Sequence, residues 1–134
     1  TISRELLNQT MNVNAFGAIR VTQAFLPLLT SSSHARVINT SSGLGQLSGL
    51  SADIPSYCLS KLTLNGATIM LAEALQDKGI VVNAFDPGWV KTDMGGSNAP
   101  RTPEQGADTA VWLATEAPAS LSGKLFHDRT EVSY

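Results

Sequence analysis

Three side chains between positions 42 and 61 combine into a set that can move a proton. Ser42 offers a hydroxyl in the Gly-rich run NTSSGLG, and Tyr57 and Lys61 follow with the spacing Tyr-x-x-x-Lys. If residues 56–77 form one helix, the phenol and the ammonium share a face, separated by about 6 Å of rise. A phenol titrates near 10, so proton exchange at neutral pH needs its phenolate favoured by about three pH units, or ~4 kcal/mol. An ammonium about 4 Å away contributes only ~1 kcal/mol in water, but about 4 kcal/mol at the effective dielectric of a partly buried site. The pair therefore does chemistry only in a cleft, where the tyrosine can exchange a proton with a carbonyl or an alcohol. The Ser42 hydroxyl would hold the oxygen that gains or loses that proton. Alone, the pair is a weak motif that an exposed helix surface satisfies equally well, and Ser42 alone is an ordinary turn former.

The elements that must position these groups follow from periodicity. Ile2, Leu6, Leu7, Met11, Val13, Phe16, Ile19 and Phe25 recur at helical intervals and give one apolar stripe. Asn12, Asn14 and Gly17 interrupt it and predict a local kink, and Pro27 is expected to bend or end the helix. Residues 36–40 (RVINT) read as a short buried strand and 41–55 as a long loop. A second helix over 56–77 stops at Lys78-Gly79, and 80–85 (IVVNAF) is an almost wholly apolar second strand. Asp86-Pro87-Gly88 makes a sharp turn into a Gly/Pro/Asn-rich loop. Thr102 caps a third helix with Pro103 at its first position, running to about 115, and 124–127 (KLFH) is a third strand. Helices alternating with strands predict an α/β fold, a partial doubly wound, Rossmann-like parallel sheet of about three strands covered on both sides. In such a sheet sites form at the carboxyl ends of strands, where Ser42 and Pro87-Gly88 both fall.

Composition narrows the function classes. A chain of 134 residues, 43% hydrophobic and 15% charged, suits one globular unit with a sizeable core. Its net charge of −2 gives no reason to expect a nucleic acid or an anionic membrane as partner. The single cysteine, Cys58, excludes an internal disulfide and fits a reducing, cytoplasmic compartment. Neither a signal peptide nor a membrane-spanning run is expected from the pattern. His34 and His127 are isolated and lack ligand spacing, so no metal is expected.

The ordered runs NVNAFG, NTSSGLG, YCLSK and DPGWVKTDM resemble the short-chain dehydrogenase/reductase family in its single-domain branch. PGWVKTDMGGSNAP and SGKLFHDR are similar to its carbonyl-reductase-like members. The resemblance runs over essentially the whole chain and implies a tetrad of Asn14, Ser42, Tyr57 and Lys61. Tyr57 would exchange the proton and Ser42 position the substrate oxygen. Lys61 would favour the phenolate and hold the nicotinamide ribose, and Asn14 would support a water chain at a helix kink. The resemblance also implies that Pro87, Gly88, Trp89, Val90 and Thr92 receive the nicotinamide carboxamide. It implies NADP, or NAD, as cofactor and a small carbonyl or alcohol as substrate. In the family the two long helices, here 3–29 and 56–77, pack into dimers and tetramers.

One departure limits the expectation. The family's glycine-rich dinucleotide turn and its Asn-Asn-Ala-Gly motif are not in this sequence. Gly43-Leu44-Gly45 lacks the third glycine and leads into a loop, so it cannot present helix amides to a pyrophosphate. Residues 1–134 therefore read as the C-terminal portion of one NAD(P)-binding domain, cut from a larger protein and not expected to turn over alone. The strand at 36–40 would expose a sheet edge prone to aggregation. Two alternatives stay open, a truncated interaction module built on the long helices and a non-redox epimerase or lyase of the same fold. A hydrolase is disfavoured, because the Gly-x-Ser-x-Gly elbow is absent.

Overall fold

The computed structural model describes residues 2–134. The first helical stretch is built in three parts. Helix α1 (Arg4–Met11) is capped by Ser3, whose side chain accepts from Leu6 N at 3.3 Å. A π turn (Asn12–Phe16) follows, and α2 (Gly17–Ser31) completes the stretch. The expected irregularity at the asparagines is thus one widened turn, in which Asn12 O accepts from Gly17 N and from Arg20 Nη2. Such a turn shifts the phase of everything after it and is a common way to aim a side chain.

Pro27 does not itself end α2, which runs one further turn and stops at Ser31, within the polar run 30–34 where the helix was expected to stop. The helix continues because Leu26 and Leu29 pack against the core cluster of Ala35, Ala72, Leu75, Ile80 and Val82. The last turn is also stapled by hydroxyls, with Thr30 Oγ1 donating to Leu26 O and Ser31 Oγ to Leu28 O. Tertiary burial outweighs the bond that proline removes.

Strand β1 (Arg36–Thr40) leads into two 3-10 turns, Gly43–Gly45 and Leu47–Gly49, and then into α3 (Pro55–Leu75). The inward face of α3 is lined largely by small or polar residues, including Ser56, Cys58, Ser60, Asn65, Ala67, Thr68 and Ala72, which lets it lie close to the sheet. Gly79, at φ 69, ends the extension of this helix in the left-handed region that glycine adopts without penalty. Strand β2 (Val81–Phe85), α4 (Pro103–Thr115), β3 (Leu125–His127) and β4 (Thr130–Val132) complete the order. Helix α4 starts with a full capping box between Thr102 and Gln105.

The sheet has four strands in the order β1-β2-β3-β4, not the expected three. β1, β2 and β3 are parallel, with Arg36 opposite Val81 and Thr40 opposite Phe85, and β4 returns antiparallel to β3. The missed strand hangs on a two-residue loop, Asp128 (φ 46) and Arg129 (φ 60). Primed hairpin turns are usually signalled by Asn-Gly or Asp-Gly, and Asp-Arg carries no such signal. Here ion pairs hold both loop side chains, Arg101 to Asp128 and Arg129 to Asp108. A second core cluster of Phe85, Leu113, Ala117 and Phe126 fills the α4 side of the sheet, with Trp112 edge-on to Phe126 at 5.5 Å. The first cluster fills the α2–α3 side, so the sheet is covered on both faces. Among the described residues no helix is long and apolar enough to cross a membrane.

Candidate active site

Parallel strands place the functional loops side by side. Ser41 N donates to Phe85 O at 2.7 Å, so the chain leaving β1 and the chain leaving β2 start from the same level. Ser42 lies one residue further on and caps the first 3-10 turn, its Oγ accepting from Leu44 N at 3.1 Å. That turn is pressed onto α3. A Cβ built at Gly45 would stand 2.7 Å from Lys61 Cβ and 2.8 Å from Lys61 C, which only glycine avoids.

Lys61 reaches back toward the sheet. Its Nζ donates to Thr40 O, the last carbonyl of β1, at 2.9 Å and stands 5.7 Å from the centroid of the Tyr57 ring. Burial pushes the Lys61 ammonium below its ordinary value, because it loses part of the hydration that stabilises the charge. Tyr57 is half-buried on the first turn of α3. The half-buried Asn14, on the π turn, donates through Nδ2 to Ser60 Oγ at 3.0 Å. Ser60 Oγ in turn donates to Tyr57 O at 2.8 Å, so the widened turn of the first helix is bonded to the segment that carries the phenol. Asn14, Ser42, Tyr57 and Lys61 are thereby tied to the same end of α3 and the carboxyl end of β1.

The loop after β2 is divided. Gly88 has φ 73 and donates its N–H to Asp86 Oδ1 at 2.9 Å, closing the turn that Pro87 begins. A Cβ at Gly88 would meet Arg101 Cδ at 2.7 Å. Val90 turns its side chain onto α4, where a Cβ at Gly106 would lie 2.6 Å from Val90 Cγ2. Its backbone pairs with Arg101 and closes the loop at its base. Thr92 and Trp89 are exposed and serve the loop itself: Gly95 N donates to Thr92 Oγ1, and the Trp89 indole donates to Gly95 O at 2.8 Å. Trp89 therefore packs on no core element.

Several groups at this end of the sheet were not singled out from sequence. Asn65 accepts from Ser41 Oγ at 2.6 Å and donates to Gly45 O at 3.1 Å. The Asp86 carboxylate faces the first turn, 3.1 Å from where a Gly43 Cβ would sit, and His127 Nδ1 stands 3.3 Å from its Oδ2. Asn65 and Ser60 are polar residues on the inward face of α3, where Ser56 and Thr68 are polar too, so polarity alone does not single them out. A groove of about 560 Å³ between α1 and α3 is lined by Leu7, Met11, Phe16 and Leu59, among others, and by none of Ser42, Tyr57 or Lys61.

The arrangement fits one end of a nicotinamide cofactor better than the other. An ammonium and a glycine-opened turn border the strand ends, whereas the Leu44, Gly45 and Gln46 amides of the first turn are already used. Leu44 N bonds to Ser42 Oγ, Gly45 N to Ser42 O and Gln46 N to Gly43 O. Among the described residues no glycine-rich strand-to-helix turn offers free amides to a pyrophosphate.

The family model described as short chain dehydrogenase matches residues 1–103. The curated protein "Short-chain dehydrogenase anuI" of Penicillium roqueforti is 36% identical over 142 residues, covering 96% of this chain and 56% of its own length. The carbonyl reductase Sniffer of D. melanogaster superposes with a TM-score of 0.89 at 29% identity, covering 100% of this chain and 59% of its own. NADPH-bound carbonyl reductase from chicken fatty liver gives a TM-score of 0.91 at 25% identity, covering 99% of this chain and 59% of its own.

Proposed function

This chain belongs to the short chain dehydrogenase family, and we propose that it carries the chemical half of a reductase that uses NADPH, or NADH, on ketones or aldehydes. The observation that carries the reading is Lys61, bonded to the end of β1 beside the Tyr57 ring, with the Ser42 turn pressed against it at Gly45. The reduced nicotinamide, when bound, supplies the hydride to the carbonyl carbon. Tyr57 gives its hydroxyl proton to the carbonyl oxygen as that oxygen becomes an alcohol. Lys61 stabilises the negative charge that develops on the phenol and would hold a ribose hydroxyl of the cofactor. Ser42 donates its hydroxyl hydrogen to the same oxygen and fixes its position. Asn14 supports the path by which the phenol regains a proton from solvent. The Pro87–Thr92 backbone would receive the carboxamide, with the Val90 side chain committed to α4. In the reverse direction the same groups oxidise an alcohol.

The chain spans 56–59% of the length of the relatives compared above. We therefore propose that turnover needs a second segment, which pairs with β1 and brings the glycine-rich turn that cradles the pyrophosphate. The test measures NADPH oxidation with a panel of ketones and aldehydes, using the full chain alone and joined at its N-terminus to the glycine-rich half of a relative. Turnover is expected only in the joined form, and Tyr57→Phe should lower kcat there by about 10²-fold or more. A joined, folded Tyr57→Phe protein that keeps its rate would sink the reading.

A second reading, a docking module acting through its helices, has one observation in its favour. Val13, Val21, Phe25 and Leu28 are 55–67% exposed along one side of the first helical stretch.

A further inference from the structure

The buried amide of Asn65 takes no part in the proton chemistry above, yet it grips both ends of the turn that carries Ser42. Tyr57, Lys61 and Asn65 follow one another at i, i+4 and i+8, so all three occupy one face of α3. Asn65 is 1% exposed. Its Nδ2 donates to Gly45 O and its Oδ1 accepts from Ser41 Oγ. A carbonyl oxygen can only accept, which fixes the NH2 toward Gly45 and leaves Oδ1 for the Ser41 hydroxyl. One planar group thus holds the residue before Ser42 and the last residue of the turn that Ser42 caps. Between those grips, the Ser42 side chain bonds within its own turn, to Leu44 N.

Simple packing is the plain alternative. A leucine of similar volume would fill the space without stripping water from an amide. What the amide adds is direction, because two bonds at fixed angles set the height and rotation of the turn against the helix. A reacting geometry needs that, since a misplacement of about 1 Å costs on the order of 10²-fold in rate. We infer that Asn65 is a positioning residue that clamps the Ser41–Gly45 turn onto α3 and so keeps the Ser42 hydroxyl in register with Tyr57 and Lys61. The inference rests on the reductase reading of Ser42 and Tyr57.

Two measurements test it. In the full chain alone, amide hydrogen exchange at Leu44, Gly45 and Gln46 should quicken about tenfold or more in Asn65→Ala, with Val82 and Ala84 unchanged. Unchanged exchange at the turn overturns the inference. In the joined form used above, Asn65→Ala should lower kcat about tenfold or more with little change in KM, and should lower it no further once Ser42→Ala is present. Losses that multiply in the double variant make Asn65 merely structural and overturn the inference, leaving the reductase reading intact. A Ser42→Ala protein with unchanged kcat removes the reading and the inference together. Should Asn65→Ala fail to fold by circular dichroism, Ser41→Ala, which releases one grip, decides between the same outcomes. An unchanged kcat overturns the clamp, and a loss that vanishes beside Ser42→Ala upholds it.

Discussion

Lys61 carries its charge where burial disfavours it. Burial lowers the pKa of its ammonium, so the unfolded chain holds this proton more tightly than the native one. Between the depressed native value and the ordinary 10.5, the unfolded state binds more protons, and stability rises with pH across that window. Below the window the cost of the buried charge is complete. Lys61→Met should therefore stabilise the fold at neutral pH and flatten the rise toward pH 10.5, as read by urea unfolding at several pH values. The lost bond to Thr40 O offsets little, because Thr40 is exposed and water can replace the ammonium. In the joined form the same variant should lose about 10²-fold or more in kcat. A variant that is both less stable and fully active would contradict this account. The residue scale is also where sequence was most informative. Tyr57 and Lys61 announce themselves by spacing, whereas Asn65 is one of several polar residues on the inward face of α3, and its meaning depends on a turn twenty residues earlier.

Among the elements, the turn after β1 has the narrowest tolerance. Gly45→Ala drives a methyl into Lys61 and should destabilise the chain by about 1–3 kcal/mol, lowering the urea midpoint at unchanged slope. Gly66→Ala, on the same helix with nothing within 4 Å of the added methyl, should instead stabilise by about 0.5–1 kcal/mol. Equal effects from the two would mean that the turn is not seated on α3. Element order was legible because each rests on a local signal: the strand at 81–85 on a short apolar run, and α4 on Thr102-Pro103. What was not legible needed information from elsewhere in the chain. How far α2 runs past Pro27 depends on the burial of Leu26 and Leu29, and β4 exists because Asp108 and Arg101 hold the side chains of a turn without glycine.

At the scale of the whole molecule, two surfaces want partners. The helical face bearing Val13, Val21, Phe25 and Leu28 is exposed and apolar; if it is a self-association surface, light scattering should show a dimer or larger species that Val21→Glu with Phe25→Glu returns to monomer. Mass unchanged by these charges would assign the face another role. The second surface is the outer edge of β1, which has no neighbouring strand among the described residues. That open flank offers a way to gate chemistry by proximity. Under the reductase reading, proton handling resides in this chain and dinucleotide capture in its complement. Tethering the two to a pair of binding proteins would then make NADPH consumption an optical record of their encounter, with the bare strand as the seam along which the circuit closes.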